Sequence, residues 1–317
     1  MVFESVFLLV VSFVILVKSS EVCVKNLAAL ARYFCLSEFA ISFIVVGIAS
    51  VLPELSVATV AAAEGSTDMA VAVLFGSNIA DFTLILGLLA IYARGLKVES
   101  KIRHGAKTLL MLMALPVILL MIGGTLSKLD GAILVLAYFY YLRKIIGRHD
   151  GLQNTICNIS NNRRDFAKHF AVGLVALVAL FASAGIASDS AIKIATEIGL
   201  PGVLMGLLIA LGTCAPEFTL ALQAIRKGHS EMGAGDIVGN VATDATLSLG
   251  IVALMSPAAP AFGPAAISGV AMVATGALAV HFMQSGRKIA FNEGLVLVGA
   301  YIAFIALEFG TQARIFA

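Results

Sequence analysis

The sequence predicts an all-α polytopic membrane protein with ten transmembrane helices in two inverted-topology five-helix repeats. Three observations carry this reading. Of the 317 residues, 60% are hydrophobic and only 13% are charged, with a mean hydropathy of +1.01; a soluble domain carries about twice that charged fraction. The apolar residues form long continuous runs between short charged loops, which suits spanning helices and not the alternating strands of a barrel. Two stretches 163 residues apart also repeat one pattern without a gap.

The apolar runs place ten spans at about 3–18, 38–62, 69–92, 106–124, 129–146, 168–187, 201–225, 232–254, 264–283 and 292–309. The first has no basic segment before it and no small-residue cleavage pattern after it, so it reads as a retained helix and not a signal peptide. Residues 18–36 continue it with an amphipathic pattern (Val22, Leu27, Leu30), which predicts a long, tilted helix. Of the 21 Lys and Arg, all but Lys128, Lys193 and Arg314 fall in loops after odd-numbered spans. Basic residues stay on the cytoplasmic side, so those loops are expected inside and both termini outside the cell membrane. The Asn158-Ile159-Ser160 sequon then lies in a cytoplasmic loop and is not expected to carry a glycan.

The duplication divides the chain. Pro53-Glu54 returns as Pro216-Glu217, Gly65 as Gly228, Met69 as Met232, Gly76 as Gly239, Asp81 as Asp244, Thr83-Leu84 as Thr246-Leu247 and Gly87 as Gly250. Residues 1–147 form the first repeat with its motif at 47–87, 148–167 a polar cytoplasmic linker, and 168–317 the second repeat with its motif at 210–250. The matched spans lie five apart. Five is odd, so the second copy crosses the membrane upside down, with a site expected at the midplane where the halves meet. Packing alone explains recurring small residues, but it does not require carboxylates at matched positions.

Charge at membrane depth is costly and marks an ion or substrate path. Pro53 and Pro216 each remove a backbone donor just before a glutamate, so both helices are expected to kink or unwind there and free carbonyl oxygens. Ser50 and Glu54, Thr213 and Glu217, Ser77 and Asp81, and Asn240 and Asp244 are each four residues apart and so share a helix face. Four such faces converging on one point supply the six to eight oxygens that Ca2+ takes. Four carboxylates around one divalent ion leave excess negative charge, which calls for protons or further cations, and that requirement is the root of exchange. Glu64, Asp68 and Glu231 lie at loop edges and read as solvated, and Asp236 has no acidic counterpart at Val73. The four cysteines show no metal or redox spacing and read mostly as apolar filler, so soft ligands are not expected, against zinc or copper.

These residues resemble the calcium/cation antiporter superfamily, in particular its sodium/calcium exchanger branch. The resemblance rests on ALGTCAPE (210–217) with its degenerate partner GIASVLPE (47–54), and on GSNIADFTLILG (76–87) with GNVATDATLSLG (239–250), which are similar to the two alpha repeats of that superfamily. It implies ion ligation by Glu54 and Glu217, accessory acids at Asp81 and Asp244, and alternating access in which the first span of each half slides across the others. It also implies exchange of Ca2+ for a monovalent cation, Na+ or H+, with no cofactor.

Three departures bear on the driving ion. The family usually has a hydroxyl three residues before each glutamate, where this chain has Val51 and Cys214; both accessory positions are aspartate; and the Gly-Asn pair that the proton-coupled branch carries shortly before its glutamate is absent. Na+ stays ahead of H+ as the expected partner ion. Inorganic cations and the bilayer are the expected partners, with no nucleic acid and no obligatory protein. An intramembrane hydrolase is the rival from another class, and the sequence has no GxSxG or HExxH pattern to support an enzyme.

Overall fold

The computed structural model describes residues 2–33, 47–98, 100–146, 163–226, 230–256, 262–286 and 288–315. Gly228, Cys35, Cys157, the Asn158 sequon and residues 148–162 of the linker lie outside them, as do the side chains of Ser50, Pro216 and Glu231. Ten helical rods run through the described residues. They are α1 (Val2–Tyr33), α2 (Gly47–Ala63), α3 (Thr67–Ala80, then a π-helical turn Asp81–Ile85, then Leu86–Tyr92), α4 (Ser100–Gly123) and α5 (Lys128–Ile146). The second half follows with α6 (Arg163–Ile198), α7 (Gly202–Thr213 and Ala215–Arg226), α8 (Ser230–Thr243, a π-helical turn Asp244–Ser248, then Leu249–Met255), α9 (Phe262–Ser285) and α10 (Phe291–Ile315).

The rods fall on the ten expected spans, with residues 38–46 of the second outside the described residues, and two are markedly longer than expected. Helix α1 has 32 residues and α6 has 36. At 1.5 Å per residue each exceeds the ~30 Å hydrocarbon core, so each tilts or projects beyond it. The run at 168–187 underestimates α6 because polar residues such as Ser188, Asp189 and Lys193 continue the same helix past its apolar stretch.

Burial separates a centre from a rim. In the most apolar stretch of α3, 94% of residues are buried, against 18% in α1 and 33% in α6. Helices α1 and α6 lie antiparallel along one another, with Asn26 beside His169 and Val14 in the same groove as Ala179. Between residues 6 and 15 the exposed side chains of α1, including Phe7 and Val14, are apolar, as suits a lipid-facing stretch, while the exposed charged residues Glu4, Lys18, Glu21 and Lys25 lie to either side of it.

The two halves interleave. Helix α3 packs on α7 and α10 of the second half, and α8 packs on α2 and α5 of the first. Close backbone approach sets two of these contacts. A Cβ on Gly87 would lie 2.8 Å from the Gly294 carbonyl oxygen, and one on Gly294 would lie 2.8 Å from that of Gly87. Gly131 and Gly250 stand in the same relation, at 2.9 and 2.8 Å. Gly87 and Gly250 are repeat partners, and Gly131 and Gly294 are also 163 residues apart. One contact is thus made twice, each time between the halves, and small residues permit it as they do in other membrane helix pairs.

The ends of the rods sort into two faces. On one, β1 (Leu96–Lys97) pairs antiparallel with β2 (Lys288–Ile289), joining the α3–α4 and α9–α10 loops. Arg226, at the end of α7, donates from Nε to the Tyr92 hydroxyl at 3.2 Å on the same face. On the other, Ser188 of α6 donates to Glu64 at the end of α2 at 2.8 Å. Loops after odd-numbered helices therefore meet one another, and ends after even-numbered helices meet one another, as the distribution of basic residues requires.

Candidate cation site

Helices α2, α3, α7 and α8 carry the four carboxylates into the centre of the bundle. Glu54 is 0% exposed, Asp81 and Asp244 are 1% exposed, and Glu217 is 2% exposed. They lie close enough to act on one another: Glu54 feels the charges of Asp244 and Asp81, and Glu217 those of Asp81 and Glu54. The Asp81 and Glu217 carboxyls approach within hydrogen-bonding range. Two ionised carboxylates cannot hold that arrangement without a proton or a cation between them. Among the described residues none of the four forms an ion pair with Lys or Arg. Both oxygens of Glu54, both of Asp81 and one of Glu217 have no hydrogen-bond donor among the described residues. Buried charge in this state requires a counter-ion or protons.

Local backbone structure aims these groups. Asp81 and Asp244 each open a π-helical turn, in which Leu86 N–H reaches back five residues to Asp81 O and Leu249 N–H does the same to Asp244 O. Thr83 and Thr246, also repeat partners, donate their hydroxyls to the carbonyls of Ile79 and Ala242, four residues back, where the widened turn leaves acceptors. The two prolines behave differently from one another. Helix α7 breaks at Cys214, two residues before Pro216, as the loss of a backbone donor implies. Helix α2 stays continuous through Pro53, so the expected unwinding occurs in one half only.

Several expected neighbours regroup. Ser77 does not pair with Asp81 on its own helix; its hydroxyl lies 3.0 Å from the Leu74 carbonyl and 3.1 Å from Asp244 Oδ2 on the opposite half. Ser248, which the spacing argument missed, donates to Asp244 Oδ1 at 2.8 Å. Its repeat partner is Ile85, so Asp81 has no equivalent donor. The two accessory acids are thus chemically unlike despite matched positions. Thr213 is buried, bonds the Ile209 and Ala210 carbonyls at 3.3 and 3.0 Å, and faces Glu54. Asn240 is buried on the same stretch of α8, and Asp236, one turn earlier, acts on Asp81.

Cys214 is the largest surprise of the site. Its sulfur experiences all four carboxylates, and Sγ lies with an oxygen of Glu54 and one of Glu217 in a group whose members are all within 4.8 Å of one another. A soft ligand therefore stands where only oxygens were expected. Cysteine spacing along the chain could not show it, because its companions come from other helices. Its position three residues before Glu217 was the available signal.

Comparison with known proteins agrees with this architecture. Residues 4–146 and 168–310 match the family model described as sodium/calcium exchanger protein. The chain is 27% identical to the inner membrane protein YrbG of Escherichia coli (strain K12), covering 95% of each. It is 25% identical to the sodium/calcium exchanger MaX1 of Methanosarcina acetivorans, covering 95% of this chain and 97% of that one. A solved structure of the sodium-calcium exchanger NCX_Mj, soaked with 10 mM Na+ and zero Ca2+, superposes with a TM-score of 0.67 at 23% identity, covering 96% of this chain and 99% of that one.

Proposed function

The chain belongs to the sodium/calcium exchanger family, and on that premise we propose that it is a secondary active antiporter exchanging Ca2+ for a monovalent cation, with Na+ ahead of H+. Glu54 and Glu217 are the principal ligands, Asp81 and Asp244 the accessory acids, and Ser50, Thr213, Ser77 and Asn240 the neutral oxygens near the membrane midplane. The observation that carries this is the convergence of four buried carboxylates from both halves with no Lys or Arg among their partners. A cluster of that charge is stable only when loaded, so one cargo leaves as another takes its place.

Access alternates as α1 and α6, the first helix of each half, slide together across the central helices. Their antiparallel pairing at the rim, outside the interleaved core, supports this. The distribution of basic residues supports extracellular termini in a cell membrane.

H+ coupling is the second reading, favoured by two observations: the facing carboxyls of Asp81 and Glu217, and the loss of both family hydroxyls at Val51 and Cys214. Proteoliposomes loaded with Ca2+ and given separate Na+ and pH gradients distinguish the two. In the same assay Glu54→Gln or Glu217→Gln abolishes Ca2+ flux while the protein stays monodisperse; flux like that of the native protein in either variant overturns the site.

A further inference from the structure

Cys214 occupies the break in α7, where φ is −74° and ψ −8° and its N–H bonds Ala210 O at 3.0 Å. The thiol is 2% exposed, and its sulfur lies 4.0 Å from the Ser77 carbonyl oxygen, a long contact. Glu54 and Glu217 stand beside it, and Asp81 also reaches it. The oxygens aimed into this space are unpartnered: both of Glu54, both of Asp81 and one of Glu217.

Ca2+ takes oxygen ligands and gains little from sulfur. A thiolate with carboxylates is instead a donor set for thiophilic divalent ions, with bonds of ~2.3 Å to sulfur and ~2.0–2.2 Å to oxygen for Zn2+. Tetrahedral ligands at such lengths stand about 3.5 Å apart. Atoms already within 4.8 Å of one another reach that separation by small side-chain rotations. Three protein ligands leave the fourth tetrahedral position to water. The opposite repeat cannot form the same set, because Val51 stands where Cys214 stands.

We propose that the site also binds a thiophilic divalent cation of the Zn2+ and Cd2+ class, held by Cys214 with Glu54 and Glu217, in competition with Ca2+. The inference rests on the reading of these carboxylates as a cation site and adds a specificity-determining ligand to it. Cys214 sets the preference between soft and hard ions, and the carboxylates serve both.

The test is titration of the purified full-length protein with Cd2+, read by the ultraviolet charge-transfer band of a thiolate–Cd2+ bond. The band saturates at one equivalent, persists in a Cys23→Ala/Cys35→Ala/Cys157→Ala variant, disappears in Cys214→Ser, and is displaced by excess Ca2+. Cd2+ affinity falls at least tenfold in Cys214→Ser, so the ratio of Cd2+ to Ca2+ affinity falls with it. Absence of the band in the native protein, its survival in Cys214→Ser, or its indifference to Ca2+ overturns the proposal. Failure of the broader reading is separate: it shows as Ca2+ flux that survives Glu54→Gln.

Discussion

Ser77 on α3 reaches across the repeat boundary to Asp244 on α8, with 3.1 Å between hydroxyl and carboxylate oxygen. Ser248 holds the other oxygen of the same carboxylate at 2.8 Å. Asp81, the repeat partner of Asp244, lacks both donors and faces Glu217 instead. Two acids that match in sequence are thus held in two ways, one fixed by hydroxyls and one left to whatever cation or proton arrives.

Removal of a donor from Asp244 tests that difference. Ser77→Ala and Ser248→Ala each delete a hydrogen bond to a buried carboxylate, an interaction of ~1.5–3 kcal/mol. Each variant is expected to unfold at a lower denaturant concentration or temperature than the native protein in the same detergent. Ser183→Ala, which removes a buried hydroxyl bonded to a backbone carbonyl (Leu180, 2.8 Å) and not to a carboxylate, is the control of equal volume.

The mirrored glycine contacts make a second prediction. Gly87→Ala, Gly294→Ala, Gly131→Ala and Gly250→Ala each push a methyl group to within 2.9 Å of a backbone carbonyl on another helix. Overpacking of this kind costs about 1–3 kcal/mol, and melting curves are expected to show it at all four positions. Gly239→Ala meets no atom within 4 Å, and alanine is the better helix former. Its melting point stays level or rises, although its repeat partner Gly76 lies 2.7 Å from Leu207 by the same construction.

Under the proposed function, protons and Ca2+ compete for one set of carboxylates in either mode of coupling. Protonation removes ligand charge, so Ca2+ affinity weakens as pH falls and strengthens as it rises. Calorimetric titration with Ca2+ at alkaline and at mildly acid pH is expected to show the difference, with protons released on binding in the acid sample. Ca2+ affinity that does not move with pH would contradict a cluster short of counter-charge.

Cys214→Ser places a hard oxygen three residues before Glu217, where the family usually has a hydroxyl. Na+ prefers oxygen to sulfur. In paired gradient experiments the fraction of Ca2+ flux driven by Na+ is expected to rise several-fold relative to that driven by a pH gradient. An unchanged ratio would show that the thiol has no part in selecting the partner ion.

The bond from Ser188 to Glu64 joins α6 to the end of α2 at 2.8 Å. Under the proposed alternating access a sliding α6 breaks it, so the bond would favour the arrangement described here over its alternative. Ser188→Ala is expected to change the turnover rate several-fold with little change in Ca2+ affinity, because neither residue reaches the central carboxylates. Flux at saturating Ca2+ and direct binding, measured side by side, separate the two effects.

Sequence by itself determined the ten spans, the inverted duplication and the four carboxylates. All three depend on composition and on local spacing: hydrophobic length decides what crosses a bilayer, and a charge kept in matched apolar surroundings is legible as a repeat. Spacing also established which side chains share a helix face, but not which faces meet. Tertiary structure decided that Ser77 serves Asp244 and not Asp81, that Ile85 leaves Asp81 without a donor, that Gly131 and Gly294 seat the halves into each other, and that Cys214 enters the carboxylate cluster. Apart from the relation of Ile85 to Asp81, which lies within α3, each of these contacts joins residues from different helices. Their identity follows from how the rods interleave, a packing outcome that the period of a single helix does not encode.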